Sequence, residues 1–156
     1  MRKSEGEREP MKRILSLLFV GASVATLMAA DATWLTSVPD AKAEAAKANK
    51  LVLLDFTGSD WCGWCKKLDA ETFSKPEFAQ YAAKNLVLVE VDFPAKKPQS
   101  AELQAANQAL QKKYNVTGYP TLVVMKPDGA VVWTRTGYLA GGPAALIAEL
   151  DKAKGK

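Results

Sequence analysis

Two cysteines separated by two residues, directly after an apolar run, limit what this chain can become more than any other feature it has. Residues 51–68 read LVLLDFTGSDWCGWCKKL and hold both cysteines of the 156-residue sequence, Cys62 and Cys65. Leu51, Val52, Leu53, Leu54 and Phe56 make a run of the length expected for a buried strand. It is interrupted by one acid, Asp55, and closed by the breaker pair Gly58-Ser59. The residues after that pair predict a helix start, so the pattern reads as strand, short loop and helix carrying Cys-x-x-Cys. In such a place the first cysteine sits near unpaired backbone N–H groups and the positive end of the helix dipole, which favours its thiolate. The second lies about one turn further in, positioned to attack a mixed disulfide on the first.

Other chemistries compete for the same pair. A structural disulfide closing so short a loop constrains an unfolded chain little and stabilises weakly. A zinc site needs two more N or S ligands, and the chain has neither a histidine nor a third cysteine. Covalent haem attachment requires a histidine after the second cysteine, where Lys66 stands. Two inert buried thiols remain an alternative, but redox chemistry is the reading that uses the strand-to-helix context.

The length suits one globular domain with a processed end and leaves no room for a second sizeable core. The formal charge of +4 is inflated by residues 1–30, which carry five basic and three acidic side chains. The remainder holds 16 basic and 14 acidic residues, a balance that gives no argument for nucleic-acid binding. Met11-Lys12-Arg13 followed by the apolar residues 14–28 has the form of a secretory signal. The small-x-small pattern Ala30-Asp31-Ala32 predicts cleavage before Thr33, with a cut after Ala30 as an alternative. The expected division is therefore a prefix and signal peptide over 1–32 and one domain over 33–156, periplasmic or secreted. An uncleaved amino-terminal membrane anchor is the alternative. Export would place the two cysteines where disulfides form and persist.

Taken in order, Asp40 is the expected N-cap of a first helix ending near Asn49, leading into the strand already described. Helix continues through Ala70, and Ser74 with Glu77 predicts a fresh cap for a helix whose Phe78 and Tyr81 share a core face. Residues 86–93 alternate Val87, Val89 and Val91 against Leu88, Glu90 and Asp92 as a second strand. After a polar linker over 94–100, residues 101–114 predict a helix with Leu103, Ala106, Ala109 or Leu110, and Tyr114 on one stripe. A loop over 115–120 leads to a third strand over 121–125. Pro127-Asp128-Gly129 turns the chain into an antiparallel fourth strand over 130–136. Gly137 and Gly141-Gly142-Pro143 precede a last helix over 144–154. The expected class is α/β, a central mixed β-sheet flanked by helices on both faces.

This arrangement resembles the thioredoxin-like family. The resemblance rests on DF-x-x-x-x-WC-x-x-CK at Asp55 to Lys66, Gly-x-Pro-Thr at Gly118 to Thr121, and Gly137 before the last helix. It covers nearly all of residues 40–152 and is strongest towards exported, bacterial-type thiol-disulfide oxidoreductases with a Trp-Cys-Gly-Trp-Cys centre. It extends to the carboxy-terminal thiol domain of periplasmic electron-transfer proteins. The resemblance implies a thioredoxin-like fold in which Cys62 attacks, Cys65 resolves, and Pro120 is a cis-proline opposite the sulfurs. Tyr119, Gly63, Trp64 and Gly137 would border a substrate groove. Trp61 is counted with them, although packing is its expected main role. Asp55 matches a buried acid that takes the proton of the resolving thiol, and burial should raise its pKa.

Two departures are visible. The loop from Asp55 to Cys62 is one residue longer than in ordinary thioredoxin, with Asp60 as a rival, solvated acid. No obvious lysine stands on the second strand to pair with Asp55, the positions of that strand being Leu88, Glu90 and Asp92. The dipeptide Gly63-Trp64 contains no histidine to stabilise a thiolate strongly, which favours a reductase or isomerase over a strong oxidant. The expected cofactor is none beyond a redox-active Cys62–Cys65 disulfide. The expected partners are exported proteins with disulfides or thiols and a redox partner, with no nucleic acid, the chain itself being a monomer. The alternative is a non-catalytic binding module or a Cu(I) carrier using the two thiolates. The methionine enrichment expected of a copper carrier is missing, since Met125 lies in a strand and the others lie in or before the signal.

Overall fold

The computed structural model of the chain describes residues 32–155, so the expected prefix and apolar signal segment lie outside the described residues. In chain order the elements are β1 (Trp34–Leu35), α1 (Val38–Ala48), β2 (Leu51–Thr57), α2 (Gly63–Leu68) running on into a π turn (Asp69–Phe73), and α3 (Pro76–Asn85). They continue with β3 (Leu86–Asp92), α4 (Ala101–Lys113), β4 (Thr121–Met125), β5 (Val131–Thr136) and α5 (Gly142–Lys154). The strands form one mixed sheet in the order β1-β3-β2-β4-β5. Strand β2 pairs parallel with β3 and antiparallel with β4. The continuous apolar character of β2 follows from this central place, because both of its faces are covered.

Alternation along β2 sends its side chains into two separate cores. Val52, Leu54 and Phe56 pack with Val87, Val89 and Val91 of β3 and with Val38, Ala41 and Ala45 of α1. Leu53 packs on the other face with Leu88, with Leu68 of α2 and Phe73 of the π turn, with Phe78 and Ala82 of α3, and with Leu146 and Leu150 of α5. The register aligns Leu53 with Leu88, Asp55 with Glu90 and Thr57 with Asp92. On this second face the apolar pairs thus give way, towards the carboxyl ends of the strands, to acids.

Four local expectations change. The cap of α1 is Ser37, whose Oγ accepts the Asp40 N–H at 3.3 Å, while Asp40 itself sits in the first turn beside Pro39. Helix α3 starts at Pro76 after Lys75 with no side-chain cap. Ser74 instead ends the π turn and donates its hydroxyl to Asp69 Oδ1 at 3.3 Å. On α4 the buried residue is Asn107, whose side-chain amide donates to the Asp92 carbonyl at 2.9 Å. Leu110 and Tyr114 pack against the core from its edge, but Ala106 and Ala109 are exposed. The two-residue β1, which pairs parallel with β3, has no counterpart in the sequence pattern. Among the described residues no helix is long and apolar enough to cross a membrane.

Candidate active site

The loop between β2 and α2 is tied down before the cysteines are reached. Gly58 carbonyl accepts N–H groups from Trp61 (3.2 Å) and Cys62 (2.8 Å), closing a tight turn. A Cβ on residue 58 would lie 2.4 Å from Trp61 Cε2, so glycine is what lets the indole lie over the turn. The indole N–H donates to the Phe93 carbonyl at 2.8 Å, and its ring meets Tyr119 edge-on at 5.7 Å. The Asp60 carboxylate accepts three backbone N–H groups, from Ala95 (2.9 Å), Lys96 (2.7 Å) and Lys97 (3.0 Å). Those bonds hold its pKa down to about 2. Asp92 completes the clamp by accepting the N–H and the hydroxyl of Ser59 at 2.8 and 2.6 Å. The extra residue of this loop is thus absorbed in contacts with the segment after β3, and Asp60 is its anchor and no rival for the buried acid.

Cys62 is the N-cap of α2, and its Sγ accepts the Cys65 N–H at 3.2 Å. The two cysteines are joined as a disulfide. Both are buried, at 6% and 4% relative exposure. In the oxidised protein residue exposure therefore does not separate the two cysteines. What separates them is their surroundings: Cys62 Sγ receives a backbone donor, whereas Cys65 lines a cavity of about 210 Å³ together with Asp55, Lys66, Asp69 and Glu90. Asp55 and Cys65 line the same cavity, and the loop holds its extra residue away in contacts with residues 95–97.

Asp55 is 8% exposed, and its Oδ1 has no hydrogen-bond partner among the described residues. Burial, and then the negative charges of Glu90, Asp69 and Asp92, push its pKa up to about 8. No cation on β3 offsets this, because Glu90 occupies the aligned position. Among the described residues no group of three or more Cys, Asp or Glu side chains is arranged to hold a metal ion.

The loop before β4 reaches this turn through Tyr119, whose ring meets Trp61. The Tyr119–Pro120 bond is cis, and the Pro120 carbonyl accepts the Gly137 N–H at 2.7 Å. Gly137 holds φ 89°, in the left-handed region that favours glycine. Tyr119 packs against Phe93 (5.4 Å) and Trp61, and its hydroxyl accepts the Gln111 side-chain amide at 2.7 Å. Gly63 is open, with nothing within 4 Å of where a Cβ would stand. Trp64 is 59% exposed and lies 5.5 Å from the Tyr138 ring, with Lys67 Nζ 5.5 Å from one ring and 5.1 Å from the other. Tyr138, whose hydroxyl donates to Glu71, was not anticipated as part of this surface. Its one signal in the sequence is that it follows Gly137.

A family model described as a thioredoxin-like domain matches residues 38–154. The disulfide bond reductase DsbH of Chlamydia pneumoniae is 38% identical over 127 residues, which cover 81% of this chain and 75% of that protein. The thiol:disulfide interchange protein DsbD of Cronobacter sakazakii is 38% identical over 98 residues, covering 62% of this chain and 16% of its own length. The solved structure of a DsbH oxidoreductase superposes with a TM-score of 0.75 at 32% identity, covering 96% of this chain and 94% of that one. The chain belongs to the thioredoxin-like family, and with a Cys-x-x-Cys disulfide at the start of α2 it is a thiol-disulfide oxidoreductase.

Proposed function

We propose that this chain is an exported protein-disulfide reductase or isomerase in which Cys62 is the nucleophile, Cys65 the resolving thiol and Asp55 the group that exchanges a proton with Cys65. Residues 1–32 serve as prefix and cleaved signal, and 33–156 as the working domain. The observation that carries the assignment is the Cys65 N–H directed at Cys62 Sγ at 3.2 Å. A donor at that atom favours the thiolate of Cys62 over its thiol. In the reduced enzyme the Cys62 thiolate attacks one sulfur of a substrate disulfide, and the other substrate sulfur leaves as a thiolate. Cys65 then gives its proton to the ionised Asp55 and attacks Cys62 Sγ. The substrate's second thiolate is released, and two electrons have passed to it as the Cys62–Cys65 bond forms.

Trp61 and Tyr119 on one side, and Trp64 with Tyr138 on the other, give an extended peptide aromatic surface beside the sulfurs, with Gly63 leaving room between. The direction of flow is supported by the weak stabilisation of the thiolate, one backbone donor and no imidazolium, and by DsbH being named a disulfide bond reductase. Electrons come from a redox partner and go to exported proteins with disulfides. Insulin reduction with dithiothreitol, together with the potential of the Cys62/Cys65 couple, tests this reading. It predicts catalysed precipitation and a potential nearer the roughly −270 mV of thioredoxin than the roughly −120 mV of a strong oxidant. No acceleration over dithiothreitol alone, or a potential at the oxidising end, contradicts it.

A further inference from the structure

The resolving step makes a demand that Asp55 alone does not meet. A carboxyl that receives the Cys65 proton must first be ionised, yet burial and its acidic neighbours keep Asp55 protonated at neutral pH. Its proton needs somewhere to go. The walls of the Cys65 cavity contain one other carboxyl on the sheet itself, Glu90, aligned with Asp55 across the parallel β2–β3 ladder. Aligned residues on neighbouring strands project from the same face, with backbones about 4.8 Å apart. Glu90 is half-buried where Asp55 is buried, so of the two carboxyls it is the one with solvent contact. Asp55 Oδ1 is buried with no hydrogen-bond partner among the described residues, and the cavity of about 210 Å³ that Asp55 lines has space for bridging water.

We propose that Glu90 is a positioning residue for the resolving step: the outer carboxyl of a two-acid relay that carries the Asp55 proton to solvent, freeing Asp55 to accept the proton of Cys65 Sγ. The sequence of transfers balances. Asp55 passes its proton to ionised Glu90, Glu90 passes it to water, Cys65 Sγ–H protonates Asp55, and the Cys65 thiolate forms the bond to Cys62 as the substrate thiolate leaves. The charged groups around the pair are Asp69 of the π turn, Asp92 of β3, Lys66 of α2 on the cavity wall, and Lys97 of the following loop, whose charge opposes the acids at Glu90. Thioredoxin-like redox chemistry does not by itself require a carboxyl here. The relay is what this chain's own residues offer where a cation is lacking.

The inference rests on the roles of Cys65 and Asp55 proposed above, and its test separates the two. Reduced protein releases two equivalents of chromophore from dithiobis-nitrobenzoate, the first when Cys62 attacks and the second when Cys65 resolves. Glu90→Gln removes a negative charge beside Asp55, so the midpoint of the second phase should move to lower pH. Compared at each protein's own midpoint, that phase should be about tenfold slower in the variant, less than the 10²–10⁴ typical of removing a direct acid–base group because water can substitute. The variant's rate should rise with imidazole concentration at fixed pH and ionic strength, while the parent's does not. The first phase should be unchanged, and Glu90→Asp should restore the second.

A Glu90→Gln second phase equal to the parent's and independent of buffer overturns the relay. If Asp55→Asn leaves the second phase untouched, the underlying role of Asp55 falls. If Asp55→Asn slows it and Glu90→Gln does not, only the relay falls. Should Glu90→Gln not fold, oxidised-minus-reduced infrared spectra of the parent give the reading. Two carboxyl bands titrating together support the relay, and one band alone overturns it.

Discussion

A carboxyl in the middle of a strand, 8% exposed and under the influence of three further acids, sets the chemistry of this protein at the scale of single residues. Because folding raises the pKa of Asp55 from 3.8 to about 8, the folded state binds one more proton than the unfolded state between those values. Stability therefore falls as pH rises through that window, by at most about 1.4 kcal/mol per unit from this group, and the loss is complete above the folded pKa. Asp55→Asn cannot ionise. Urea unfolding of the oxidised proteins across pH 4–9 should show the variant gaining on the parent up to about pH 8 and running parallel beyond. Curves parallel throughout would mean that Asp55 ionises freely. The sequence reveals Asp55 itself, since an acid inside LVLLDF stands out. It does not reveal that Glu90 lies alongside, because inter-strand register is a long-range property that local alternation leaves open.

At the scale of elements, the site depends on a clamp between two loops distant in sequence. The one-residue-longer turn after β2 is held by Asp60 on the amides of residues 95–97 and by Asp92 on Ser59. Folding lowers the Asp60 pKa from 3.8 to about 2, so this contribution is whole above pH 4 and is lost as pH falls towards 2. Hydrogen exchange should show Asp60→Ala losing protection at Ala95, Lys96 and Lys97 while β2 and β3 amides stay protected. Unchanged protection at those three amides would mean that other contacts hold the loop. Several elements were readable because their signals are local: the valine alternation of β3, the Pro127-Asp128-Gly129 turn, and the cysteine pair after β2. Others were not. Ser37 outcompetes Asp40 as a cap because Pro39 belongs inside the first turn, and β1 is too short to show a period. Tyr138 reaches Trp64 only through the return of the chain after β5.

Across the whole molecule, two apolar clusters hold a central strand whose carboxyl end carries the redox centre. The disulfide joins residues three apart, too short a loop to matter much for stability. By contrast, each fully buried Leu or Phe contributes roughly 1.5 to 3 kcal/mol. Oxidised and reduced forms should thus share one fold, as a protein that cycles between them requires. Apart from β1, the order of helices and strands, the mixed sheet and the pairing of Cys62 with Cys65 were legible from sequence, because patterning and one motif determine them. That both cysteines are buried was not legible, and it places the distinction between them on environment, a donor at Cys62 and the acid-lined cavity at Cys65. The most direct test incubates single-cysteine variants with a disulfide-containing protein and separates the products without reductant. Cys65→Ser should accumulate a mixed disulfide through Cys62, and Cys62→Ser should trap little or none. Equal trapping by both variants, or trapping by Cys62→Ser alone, would contradict the assignment of attack to Cys62 and resolution to Cys65.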